Sequence, residues 1–213
     1  MALTDHRGFV YVIDDNATFR KTIEGRLKEF GYEVSTYPSA QHLLDRLPGE
    51  NVPSCILLDV RLPGMSGPEL QERLSELGST LPIIFLTGYT DVPATVRTIK
   101  AGAVDFLIKP ASSDQLLQSV ERAIAHHSAA LNLKYARDVV LSHVATLTPR
   151  ERQVFELVIR GKSNKAIGNA LGTAERTIKA HRHRVMEKLQ VRSLPELVSL
   201  AERAGVLRDP PGS

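Results

Sequence analysis

Cys55-Ile56-Leu57-Leu58-Asp59-Val60-Arg61-Leu62-Pro63-Gly64 runs from an unbroken apolar stretch into a carboxylate and then into a turn. Its brevity and apolar character predict a strand buried on both faces, with Pro63-Gly64 reversing the chain behind it. Four further short β-branched or aliphatic runs fit the same description: Phe9 to Ile13, Glu33 to Tyr37, Ile83 to Leu86 and Val104 to Ile108. Between them, apolar residues at helical spacing predict helices over Thr18 to Phe30, Ala40 to Leu47, Pro68 to Leu77, Val92 to Ala101 and Ser113 to His127. Gly31, Gly78 and Gly102 stand where helices end. Strands alternating with helices predict an α/β domain around a parallel sheet.

Beyond residue 127 the strand signal stops. Residues 128–147 hold scattered apolar side chains without Pro or Gly, which predicts a partly helical, semi-rigid connector. Past it the pattern is helical throughout: Pro149 to Arg160, Asn164 to Leu171, Ala174 to Leu189 and Leu194 to Ala204, a small all-α bundle. The chain thus divides into an α/β domain over 1–127, a helical linker over 128–147 and a helical domain over 148–213.

The 213 residues, 42% hydrophobic and 24% charged, exclude fibrous and unstructured classes. The single cysteine, Cys55, excludes a disulfide-stapled secreted fold. No apolar run reaches the ~20 residues of a bilayer span, and Met1 to Gly8 lacks a signal-peptide core. The sequence therefore reads as soluble, cytoplasmic and without a membrane partner. The overall charge of +3 divides unevenly: residues 1–125 carry net −4 and residues 126–213 net +7. Only the basic half suits a polyanion, and with Tyr135 and Phe155 its sole aromatics, groove binding by Lys and Arg fits better than base stacking.

Ligands of open α/β sheets collect beyond the carboxyl ends of the strands. There the sequence places Asp14-Asp15 after the first strand, Asp59 after the third, Thr87-Gly88 after the fourth and Lys109-Pro110 after the fifth. Clustered carboxylates are tolerable around a hard divalent cation, and Mg²⁺ suits a few carboxylates plus water. A carboxylate nucleophile could attack phosphorus, while the metal and a lysine neutralise the oxygens and a threonine hydrogen-bonds the product. Each residue also has an ordinary explanation. Asp15 or Asn16 could cap a helix, Asp59 could belong to a turn, Thr87 could begin a helix, and Lys109 could be a solvated charge. Singly those explanations win; together they require four coincidences at one sheet edge.

Val12-Ile13-Asp14-Asp15, Leu58 to Gly67, Leu86-Thr87-Gly88 and Lys100 to Pro110 make residues 9 to 125 resemble the receiver domain of two-component response regulators. The resemblance implies a flavodoxin-like, doubly wound sheet in order 2-1-3-4-5. It implies phosphorylation of Asp59 by a sensor histidine kinase. Asp15, Asp59 and the Arg61 carbonyl would ligate Mg²⁺ directly and Asp14 through water. Thr87 and Phe106 would form the switch pair, and Lys109, preceding a cis Pro110, would pair with the phosphate. Two positions depart from the pattern: Tyr89-Thr90 stands where relatives often carry His-Gly, and Ala111 where they often carry Phe. Tyr89, with Arg61, bears on water access and so on phosphate lifetime.

In the basic half, a short helix, a tight turn and a second basic helix describe a helix-turn-helix. Within Ala174 to Leu189, Ala174, Ile178, Val185 and Leu189 can pack inward, leaving Arg176, Lys179 and His183 opposite. Arg182, Arg184 and Lys188 can reach phosphates. A basic helix is more often a solvated surface than a DNA reader. The segments Leu147 to Val154, Gly161 to Gly168, Thr177 to Arg182 and Lys188 to Ser193 resemble the LuxR-type DNA-binding domain. That resemblance implies base contacts by Lys179, Ala180 and His183, backbone contacts by Lys165, Thr177, Arg182 and Arg184, and a dimer interface through Leu194 to Ala204. Gly168 weakens its helix and has no evident reason.

The whole chain resembles a response regulator of the NarL/FixJ type. The implied function is transcription regulation through phosphorylation of Asp59, dimerisation and promoter binding, with RNA polymerase as a further partner and no turnover beyond self-phosphorylation and dephosphorylation. Two rivals remain. A Mg²⁺-dependent phosphatase normally needs a second acid near its nucleophile, and Val60-Arg61 supplies none. A constitutive DNA-binding protein has no need of Asp14, Asp15, Asp59, Thr87 and Lys109 together.

Overall fold

Five strands form one parallel sheet: β1 (Phe9–Ile13), β2 (Glu33–Tyr37), β3 (Ser54–Asp59), β4 (Ile83–Thr87) and β5 (Asp105–Ile108), in the order β2-β1-β3-β4-β5. The structure is a computed structural model that describes residues 7–88, 102–203 and 205. The helix expected over Val92 to Ala101, and Tyr89-Thr90, lie outside the described residues.

The period of two in each strand sorts side chains into two cores. Val10 and Val12 of β1, Cys55 and Leu57 of β3, and Ile84 and Leu86 of β4 face one layer. There they meet Ile23 and Leu27 of α1 (Ala17–Glu29) and Leu116, Val120 and Ile124 of α4 (Ser113–Ala145). Tyr11, Ile13, Ile56, Leu58 and Phe85 face the other, against Leu43 of α2 (Ala40–Leu44) and Leu70 and Leu74 of α3 (Gly67–Glu76). β3 is buried at every residue, as a central strand covered by helices on both faces must be.

The second unit is helical: α5 (Pro149–Ile159), α6 (Asn164–Leu171), α7 (Glu175–Lys188) and α8 (Leu194–Arg203). Val154, Phe155, Ile167, Ile178, Val185, Leu189 and Leu197 form its core, to which Val144 at the end of α4 also belongs. The chain separates into two compact units between Asn132 and Leu133.

Three expectations need correction. α2 stops at Leu44 rather than Leu47, because Pro48 disfavours helical backbone at the residue before it. The helix expected to end at His127 runs on to Ala145, so that α4 is one helix of 33 residues and the connector, expected to be partly helical, is helical over 128–145, where no Pro or Gly interrupts it. Ala174, expected to pack inward, is the exposed N-cap of α7. Among the described residues no helix is long and apolar enough to cross a membrane.

Candidate functional site

The sheet register assembles the acidic edge. β1 and β3 pair in parallel with Ile13 beside Leu58, so Asp14 and Asp59 fall one step further along adjacent strands. β3 in turn pairs with β4, Asp59 beside Leu86, and β4 with β5, Thr87 beside Ile108, which puts Thr87 and Lys109 at the same edge. Helix α1 is capped by Asn16, whose Oδ1 accepts the Phe19 N–H at 3.0 Å. The capping role open to Asp15 is therefore taken by its neighbour, and Asp15 stays exposed at the edge.

One ligand oxygen from each of Asp14, Asp15 and Asp59 lies within 4.8 Å of the other two. Asp14 is fully buried and Asp59 is 9% exposed. Lys109 Nζ spans the pair, 2.5 Å from Asp14 Oδ2 and 3.0 Å from Asp59 Oδ2. The other oxygens are held by backbone: the Asn16 N–H donates to Asp14 Oδ1 at 2.8 Å, and the Arg61 N–H to Asp59 Oδ1 at 3.3 Å. Burial pushes the Asp59 carboxyl above its ordinary range, against the opposing pull of Lys109, and the neighbouring Asp14 charge adds to the rise. Among the described residues, three carboxylates thus gather around the Lys109 ammonium, and such an all-oxygen donor set suits a hard divalent cation.

Thr87 is buried, and its hydroxyl donates to the Gly88 carbonyl at 3.1 Å. Phe106 shares its sheet face, paired with Phe85, and is 38% exposed. Arg61 is exposed on the loop after β3. The Lys109–Pro110 bond is cis.

Four features at this edge escaped the sequence reading. Phe19 places its ring 4.5 Å below Lys109 Nζ. Arg20 Nη1 donates to the Asp14 carbonyl at 2.5 Å, tying α1 to the end of β1. Gly67 opens α3 against β3, where a Cβ would stand 2.4 Å from the Asp59 carbonyl oxygen, so only glycine lets the helix start there. Pro110 and Ala111 line a cleft of about 340 Å³ with Phe19, Ile23 and Leu116. Helical periodicity could have put Phe19 and Ile23 on one face, but nothing in the sequence aims that face at Lys109.

In the helical unit, Lys165, Thr177, Lys179, Ala180, His183 and Arg184 are all exposed. Lys179, with Glu175 3.6 Å away, stands with Arg176 and His183 opposite the buried Ile178 and Val185. Arg182 differs: it is half-buried and its Nη1 donates to Asn164 Oδ1 at 2.7 Å, joining α6 to α7. Lys188, expected to reach phosphates, is turned inward instead. Its Nζ bonds Glu151 Oε2 at 2.7 Å and the Thr146 carbonyl at 3.2 Å. Glu151, buried and also accepting the Thr148 N–H at 2.9 Å in the capping box of α5, is held at about 2 by Lys188 and then by that N–H. Gly168 acquires its reason here: a Cβ would lie 2.7 Å from the Thr173 carbonyl, so α6 and the turn after it touch backbone to backbone.

Comparison with known proteins agrees with both units. Residues 10–121 match the response regulator receiver domain, and residues 145–201 match the bacterial regulatory proteins of the luxR family. The chain is 43% identical over 203 residues to the transcriptional regulatory protein FixJ of Bradyrhizobium diazoefficiens, spanning 95% of this chain and 98% of FixJ. Among solved structures, the response regulator StyR superposes with a TM-score of 0.81 at 41% identity, over 92% of this chain and 98% of StyR. Full-length FixJ from B. japonicum gives 0.58 at 43% identity, over 95% of this chain and 100% of that one. With one family match over each unit and FixJ similar along nearly the whole chain, the chain belongs to the two-component response regulators that join a receiver domain to a LuxR-type DNA-binding domain.

Proposed function

We propose that this response regulator is phosphorylated on Asp59 by a sensor histidine kinase, dimerises in consequence and binds promoter DNA to regulate transcription. Residues 1–127 act as phosphoacceptor, 128–147 as helical connector and 148–213 as DNA reader, with RNA polymerase a further partner. The observation that carries this is the three-carboxylate cluster bridged by Lys109, with Asp59 both nearly buried and bonded to the ammonium.

Asp14, Asp15, Asp59 and the Arg61 carbonyl would hold Mg²⁺, which when bound offsets negative charge on the transferring group. A carboxylate oxygen of Asp59 forms the new P–O bond as the P–N bond to the kinase imidazole breaks, the electron pair leaving with the imidazole nitrogen. Lys109 then exchanges its Asp59 contact for a phosphoryl oxygen. Thr87 turns its hydroxyl from the Gly88 carbonyl to the phosphoryl group, and Phe106, on the same sheet face, fills the space left behind. The chain turns over no external substrate: its chemistry is confined to gaining and losing its own phosphoryl group.

On DNA, α7 enters the major groove. Lys179, Ala180 and His183 approach base edges, and Lys165, Thr177, Arg182 and Arg184 contact the backbone. The test is labelling by acetyl phosphate with Mg²⁺, read by retardation in a phosphate-binding gel. Wild type should shift and Asp59→Asn should not. Labelling of Asp59→Asn at the wild-type rate, or none in wild type, would overturn the assignment.

A further inference from the structure

Lys109 Nζ is gripped from three sides: by Asp14, by Asp59 and, 4.5 Å from the ring centroid, by the face of Phe19. Two of these partners are anions that change their roles during phosphorylation. The third is not an anion, and it does not change. Phe19 is fixed independently of the site, because its N–H is bound by the Asn16 cap and its side chain packs on the core beside Ile23 and Leu116.

We infer that Phe19 is a positioning residue for phosphoryl transfer, holding the Lys109 ammonium between Asp14 and Asp59 by a cation–π contact. The inference rests on the assignment of Asp59 as phosphoacceptor. An ammonium between two carboxylates is drawn to the more buried one, and Nζ already stands closer to Asp14 than to Asp59. A ring face attracts the cation without offering a lone pair, so it keeps Nζ at mid-site and excludes water from that side, yet costs no hydrogen bond when Lys109 turns from Asp59 to a phosphoryl oxygen. With the ring removed, water enters from the adjoining cleft of Thr18, Thr22 and Ala111. Lys109 then settles on Asp14, and the incoming phosphoryl oxygens lose their cation.

The test separates the ring's electrostatics from its bulk. In the full chain, Phe19 is replaced by mono-, di- and trifluorinated phenylalanines, which keep its shape while draining the negative ring face, and by Phe19→Leu. Labelling of Asp59 by acetyl phosphate at saturating Mg²⁺ should slow stepwise with fluorine number, by about three- to tenfold at the trifluoro analogue and in Phe19→Leu, the size expected of one partly desolvated cation–π contact. Phe19→Tyr, which keeps the ring face, should restore the wild-type rate. Without Mg²⁺, the Lys109 ε-methylene proton resonances should lie upfield in wild type and return toward ordinary lysine positions in Phe19→Leu. Equal rates across the fluorinated series, or an unshifted Lys109 in wild type, would overturn the inference. A wild-type chain that fails to label would instead remove the function assigned to Asp59.

Discussion

At the residue scale, a histidine outside the acidic edge shows what burial does to a titratable group. His127 is fully buried in α4; its Nδ1 accepts the Ser54 N–H at 2.9 Å, and its Nε2 has no partner among the described residues. Nδ1 must therefore be unprotonated and Nε2 must carry the hydrogen. Desolvation holds the imidazole below its ordinary value of 6.5, with Glu50 pulling the other way and His126 adding to the fall. A folded-state value below the unfolded one means that the unfolded chain takes up the proton first. The His127 contribution is whole above about pH 6.5 and is lost as pH falls toward the lower folded value. The urea midpoint of the first unit should accordingly decline between pH 7 and 5, and His127→Gln should flatten that decline. An identical pH profile in the variant would contradict this account. Cys55, in contrast, is pushed up by complete burial and stays an inert core thiol.

Elements meet here through glycines that the amphipathic pattern does not explain. Gly67 and Gly168 each occupy a helix where a Cβ would strike a backbone carbonyl, of Asp59 in one unit and of Thr173 in the other. In both cases the obstacle is main chain, which cannot rotate away as a side chain would. Gly168→Ala gains helix propensity, worth about 1 kcal/mol, but forces α6 off its turn. The second effect should win, with a net loss of about 1 to 3 kcal/mol in the second unit, measured by calorimetry on the full chain. A stabilised variant would show that the contact can relax. The same unit is fastened at its other end by Glu151, which caps α5 and binds Lys188 of α7. A basic residue assigned from charge to phosphate contact thus turns out to join two helices.

For the whole molecule, the charge division into net −4 and net +7 becomes a division of labour between an acid-lined sheet edge and an exposed basic helix. If phosphorylation pairs two copies on one site, the number of phosphates contacted doubles, and log affinity against log salt should become about twice as steep with acetyl phosphate and Mg²⁺. A slope that did not change, measured by fluorescence anisotropy on a target duplex, would remove dimerisation as the link. Much of this was legible along the chain. Strand ends announce themselves locally, so Asp14, Asp15, Asp59, Thr87 and Lys109 could be read as one edge once five short apolar runs implied a parallel sheet. The basic face of α7 was equally legible, because helical period alone separates Lys179 and His183 from Ile178 and Val185. Composition and periodicity are properties of neighbours in sequence, and they determined the α/β and all-α classes, the acidic edge and the exposed cations. Tertiary structure alone decided which groups meet across elements: Phe19 under Lys109, Arg20 on the Asp14 carbonyl, Arg182 on Asn164, Lys188 on Glu151, and Gly67 and Gly168 against main chain. Such contacts depend on sheet register and helix docking, which are set by the packing of every side chain together and are written at no single position.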